Sequence, residues 1–147
     1  MSKNKLYIVE GAQGAGKTTV SRLIREQKTY TVLMSLSGTS DKTLAGEEKV
    51  FKEHWASLRM VDDCKGCDLN FVWDRSFITE RNYCLLGIKA YSFAVNYNSL
   101  MSYLNHIADD YDVHLILLTA SPDVFVEDIK ASSPQSLWLD KGELKFF

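Results

Sequence analysis

Four short apolar runs punctuate the chain, at Leu6 to Val9, Tyr30 to Leu36, Leu69 to Trp73 and Val113 to Leu118, and all four read as buried strands. Between them the apolar spacing lengthens to that of a helix. Val20, Leu23, Ile24 and Gln27 share one face after the first run, and Val50, Phe51, His54, Trp55 and Leu58 share one after the second. A third helix is expected from Phe77 into Tyr91, Ser92 and Phe93. Tyr97, Leu100, Met101, Leu104 and Ile107 form a stripe just before the fourth run. Ser121-Pro122 has the N-cap and first-turn chemistry of one more helix, carrying Val124, Phe125 and Ile129. A fifth strand is not obvious, Glu143 to Phe147 being the one candidate. Strands alternating with helices imply right-handed crossovers, so the expected class is α/β. The expected architecture is a three-layer sandwich whose mainly parallel sheet of four to five strands carries helices on both faces. No repeat or long linker interrupts this pattern, and residues 1–147 read as a single domain.

Composition narrows the partners. The 147 residues are 46% hydrophobic, enough for one core, and the net charge of −2 comes from 17 basic and 19 acidic residues spread along the chain. No basic stripe or tail offers a track for nucleic acid or an anionic membrane, so neither partner is expected. The apolar run in MSKNKLYIVEG is too short for a signal peptide, and nothing approaches the roughly 18–20 apolar residues of a membrane span. A cytoplasmic protein is expected on both counts. Cys64, Cys67 and Cys84 do not form a disulfide framework. No second pair accompanies Cys64-Lys-Gly-Cys67 to complete a four-ligand zinc site, so this stretch reads as a reduced turn around Gly66. His54, His106 and His114 have no carboxylate or serine arranged with them as a triad and read as satisfied structural histidines.

The chemistry begins directly after the first strand. Gly11-Ala12-Gln13-Gly14-Ala15-Gly16-Lys17-Thr18 satisfies the pattern G-x-x-x-x-G-K-[ST] between a predicted strand and a predicted helix, and Thr19 follows. Glycines let successive N–H groups turn inward at the positive end of the helix, making a nest for an anion. Lys17 adds a full charge on a flexible stem that follows the β and γ phosphates, and the Thr18 hydroxyl is placed to ligand Mg²⁺. The loop is therefore expected to hold the triphosphate end of a nucleoside triphosphate.

A phosphate cradle does not identify the acceptor. In Phe71-Val72-Trp73-Asp74-Arg75-Ser76 an apolar strand delivers an acid and a base at its carboxyl end, the edge where ligands bind in open parallel sheets. Asp74 is suited to the Mg²⁺ shell or to a hydroxyl proton, and Arg75 to gripping an acceptor or a transferring phosphate with its planar fork. Phe77, next to this motif, is a candidate to stack an acceptor base.

Glu10-Gly11 leading into GAGKTT, together with Asp74-Arg75-Ser76, resembles the thymidylate kinase and deoxynucleoside kinase group of P-loop kinases. In element order the resemblance runs from residue 6 to about 130, although only these two motifs are specific. It implies a P-loop fold and γ-phosphoryl transfer from ATP to a nucleotide or nucleoside. It places Arg75 at the acceptor, Mg²⁺ between the substrates and Glu10 in the acceptor lining, although Glu10 reads equally as a strand-end residue bonded to the loop backbone. The chain departs from the group after the second strand, where Ser35 to Lys42 matches neither the Glu-Pro of nucleoside kinases nor the Arg-Phe-Pro of thymidylate kinases. A monophosphate is already a nucleophile and needs little base help, which favours nucleotides. It departs again in the lid, since no arginine follows Arg81 and Lys130 and Lys141 are the nearest substitutes. Either Arg75 or Arg81 supplies the missing charge, or part of the lid is lacking, or the protein is a slow or inactive relative. The preferred expectation is an ATP- and Mg²⁺-dependent nucleoside monophosphate kinase. The alternatives are a catalytically impaired, nucleotide-binding regulatory protein and a nucleoside or other small-molecule kinase. A homodimer is compatible with every one of these readings.

Overall fold

The structure is a computed structural model that describes residues 3–11, 15–36 and 41–118. The elements follow one another as β1 (Asn4–Gly11), α1 (Lys17–Gln27), β2 (Thr31–Ser35), α2 (Leu44–Asp63), β3 (Asn70–Asp74), α3 (Phe77–Leu85), α4 (Ala94–Ile107) and β4 (Tyr111–Leu118). Each of the four apolar runs has become a strand. All pairings are parallel, in the order β2-β3-β1-β4, which makes β1 and β3 the central strands. The fold is α/β, as the alternation of periods predicts.

Register decides what each face buries. Leu6 lies opposite Phe71 and Ile8 opposite Trp73, so four large side chains point to one side. There they join Val50, Leu58 and Val61 of α2 and Leu100, Leu104 and Ile107 of α4 in a single apolar cluster. The alternate residues Val9 and Val72, also fully buried, point to the other side, where α1 packs against β1, β2 and β3. Gly46 lets α2 start close to the chain before it, because a Cβ there would lie 2.1 Å from the Asp41 carbonyl oxygen.

Two expectations need correction. On α1 the face turned to the protein is that of Lys17, Val20, Ser21 and Ile24, whereas Leu23 is 47% exposed and Gln27 is also exposed. The third helix stops at Leu85 instead of continuing to Phe93. Gly87 takes φ 79 just past its end, and Phe93 itself adopts φ 62 as the N-cap of α4. The Cys64 turn is as expected, with the Cys67 N–H donating to the Cys64 carbonyl at 3.0 Å and Gly66 at φ 83. The helix expected after Ser121 and the strand candidate at Glu143 to Phe147 lie outside the described residues, as do Lys130 and Lys141. Among the described residues no helix is long and apolar enough to cross a membrane.

Candidate active site

The carboxyl end of β1 runs directly into the glycine loop. Gly11 has φ 153, and a Cβ on it would lie 2.7 Å from the Leu118 carbonyl oxygen of β4, so only glycine fits that close approach. Gly16, at φ 93, forms the left-handed turn that starts α1. Ala15, Gly16, Lys17, Thr18 and Thr19 are described, whereas Gln13 and Gly14 lie outside the described residues. Lys17 is the first residue of α1 and is 7% exposed, with its Nζ donating to the Gly11 carbonyl at 2.8 Å. Burial, reinforced by the Arg75 charge, lowers its pKa to about 8, while Glu10 and Asp74 pull the other way. The charges of Arg75, Glu10 and Asp74 therefore all act on Lys17.

The Thr18 hydroxyl donates to Asp74 Oδ2 at 2.8 Å. Asp74 is 8% exposed, and its second oxygen, Oδ1, is buried without a hydrogen-bond partner. An orphaned carboxylate oxygen beside a hydroxyl is a hard oxygen pair, which suits Mg²⁺ better than a transition metal. Among the described residues no three His, Cys, Asp or Glu side chains gather into a metal cage. Mg²⁺ needs none, because it takes one or two protein oxygens and fills its shell with water and phosphate.

Arg75 follows at φ 74, a left-handed conformation that is costly for a residue with a Cβ. Its N–H donates to the Val9 carbonyl at 3.0 Å. Ser76 caps α3 by accepting from the Ile78 N–H at 3.1 Å, and its hydroxyl donates to Glu10 Oε1 at 2.6 Å. The Thr79 hydroxyl donates to the other oxygen, Oε2, also at 2.6 Å. Glu10 is 1% exposed. Burial raises its pKa, opposed by the two hydroxyl bonds and the Lys17 charge. Phe77 is fully buried, edge-on to His54 and Tyr97 at centroid distances of 6.2 and 5.7 Å. Glu10 and Phe77 thus sit beside Asp74-Arg75-Ser76, sealed from solvent, while Lys17, Thr18, Asp74 and Arg75 gather at the ends of the central strands.

Several participants escape the sequence patterns. Ser76 is legible as a cap, but Thr79 has no signal beyond standing one turn later on the same face. Glu80, in the first turn of α3, is buried with Lys89, whose Nζ lies 3.6 Å from its Oε1, and the Tyr91 hydroxyl donates to that same oxygen. The neighbouring Arg81 donates from Nη1 to the Ser92 carbonyl at 2.6 Å. His54 is structural, as expected, but not satisfied. Its Nδ1 is buried without a partner, and burial lowers its pKa to about 4.

No known family profile matches the chain. A 49-residue stretch is 45% identical to a guanylate kinase of Fusobacterium nucleatum, covering 33% of this chain and a quarter, 25%, of that enzyme's length. Two structures of the deoxyadenosine kinase of M. mycoides superpose on it at 19% identity. The one with the products dCMP and a flexible dCDP covers 90% of this chain and 73% of that one, with a TM-score of 0.48. The one with dATP covers 92% and 75%, with a TM-score of 0.47.

Proposed function

We propose that the chain is a kinase of nucleotides or nucleosides, with a nucleoside monophosphate as the preferred acceptor and ATP as the donor. The observation that carries this reading is the junction between Thr18 of the phosphate loop and Asp74 of the acceptor motif at the carboxyl ends of adjacent strands. The local identity to a guanylate kinase, an enzyme named for a monophosphate, favours the same acceptor class.

In this reading the loop N–H groups and Lys17 hold the triphosphate, and Lys17 leaves the Gly11 carbonyl to follow the charge that develops on the transferring group. Thr18 and Asp74 would hold Mg²⁺, which would supply charge neutralisation to the triphosphate. Arg75 grips the acceptor phosphate with paired N–H bonds and sets its oxygen in line. An ionised phosphate oxygen needs no general base, in keeping with the absence of a Glu-Pro after β2. ATP, Mg²⁺ and a cytoplasmic location belong to this reading. The experiment is a screen of nucleosides and nucleoside monophosphates for ATP-dependent ADP release, with conversion of a monophosphate as the expected result.

A second reading, a regulatory protein that binds nucleotide without transferring phosphate, draws on one observation. Arg81 is committed to the Ser92 carbonyl, and no arginine follows it in the sequence. Tight ATP binding without turnover of any acceptor would favour it.

A further inference from the structure

We propose that Glu10 is a positioning residue whose buried carboxylate, gripped by the Ser76 and Thr79 hydroxyls, fixes the left-handed turn that sets Arg75 against the phosphate loop. The inference rests on the kinase reading for its catalytic consequence and on geometry alone for the positioning.

An ionisable side chain at 1% exposure at the end of a strand is expensive, and an apolar residue would fill that place at less cost. What the carboxylate adds is a bridge. Its two oxygens take one hydroxyl each, from the cap of α3 and from its first turn, both at 2.6 Å. Ser76 is thereby held from two sides, because its Oγ also accepts from the Ile78 N–H, and the Thr79 N–H donates to the Ser76 carbonyl at 3.1 Å.

Arg75 lies immediately before this clamp, with its own N–H on Val9, the residue before Glu10. Two consecutive residues of β1 thus hold two consecutive residues of the acceptor motif. A left-handed arginine at φ 74 persists only where its surroundings over-determine it, and this double grip is such a surrounding. On its other side Glu10 adjoins Gly11, whose carbonyl receives Lys17 Nζ, so a single residue ties the donor lysine to the acceptor arginine.

The test uses Glu10→Gln, which keeps the side chain's size but leaves one oxygen to accept where two did, so one hydroxyl loses its acceptor and faces an amide N–H in its place. The acceptor KM should rise at least tenfold with the ATP KM within twofold of wild type. By NMR, hydrogen exchange at the Arg75 amide should speed up at least tenfold while the Ile8 and Val72 amides keep their rates. Thr79→Val should reproduce both effects, and Thr79→Ser, which restores the hydroxyl, should not. Should Glu10→Gln fail to fold, the Thr79 pair decides alone. An unchanged Arg75 exchange rate, or equal rises in the two KM values, overturns the proposal. A wild type that converts no acceptor removes the kinase reading while the exchange measurement still decides whether Glu10 positions Arg75.

Discussion

The Thr18 hydroxyl donates to Asp74 Oδ2 at 2.8 Å, joining residues 56 positions apart in sequence at the point where α1 begins and β3 ends. The bond joins the glycine loop to Asp74-Arg75-Ser76 and leaves Asp74 Oδ1 buried without a partner. Replacing Asp74 with asparagine keeps the shape and removes the negative charge. For a kinase, kcat should fall on the order of 100-fold and the Mg²⁺ concentration for half-maximal rate should rise, with ATP affinity in the absence of Mg²⁺ unchanged. Steady-state rates across a Mg²⁺ titration check this, and an unaltered Mg²⁺ requirement would remove Asp74 from the metal.

Lys17, with its pKa lowered to about 8, provides a proton-counting experiment. At pH 8 about half of the free protein carries the charge, and a bound triphosphate restores it in the remainder, so binding should take up about 0.5 proton. Calorimetry of ATP binding in buffers of different ionisation enthalpy measures that number, and Lys17→Ala should reduce it to near zero. In the ligand-free protein the folded pKa lies below the unfolded value of 10.5, so the unfolded chain binds more protons between pH 8 and 10.5. The Lys17 contribution to stability therefore rises with pH through that window.

His54 acts at the acid end with the same sign. Its pKa of about 4 when folded, against 6.5 in the open chain, means that unfolding takes up a proton between those values, and stability is lost as pH falls through them. The difference corresponds to roughly 3 kcal/mol. His54→Leu, which removes a ring nitrogen that has no partner, should cost less than about 1.5 kcal/mol at pH 7 and flatten the acid limb. Glu10, with its raised pKa, contributes in the opposite sense above pH 4.5, but it does so in both proteins and cancels in the comparison. Urea denaturation at pH 4.5 and 7 reads the difference, and parallel pH curves would sink the idea.

What was legible in the sequence is what repeats or stands close together. The strands announced themselves by short apolar runs, and Lys17 and Thr18 by fixed spacing within eight residues. The face of α1 was misread because it buries Lys17 and Ser21, polar residues to which a count of apolar periodicity is blind. The third helix overran because Ile88 and Tyr91 to Phe93 continue an apolar pattern past Gly87, whose positive φ ends it. The bridge from Glu10 to Ser76 and Thr79 spans 66 and 69 positions, and no local period encodes a carboxylate meeting two hydroxyls at that distance.

Arg75 separates strain from chemistry. Its φ of 74 penalises any residue with a Cβ by about 1–2 kcal/mol, and both Arg75→Ala and Arg75→Gly delete the guanidinium while only glycine relieves the backbone. In ordinary strand or helix positions alanine is the more stable of the two by about 0.5–1 kcal/mol. At position 75 the order should reverse, with the glycine protein more stable than the alanine protein by about 1 kcal/mol in urea denaturation. In a kinase of monophosphates both should lose acceptor binding alike, raising the acceptor KM far more than the ATP KM, because neither carries the paired N–H donors that a phosphate needs. A more stable alanine protein would show that the turn is unstrained. A glycine protein with wild-type kinetics would show that the strain is held for something other than the acceptor. Stability gained and acceptor affinity lost at one position is the pair of results expected of a kinase in which the Val9 and Glu10 bonds would hold Arg75 in a costly conformation for the grip of its side chain.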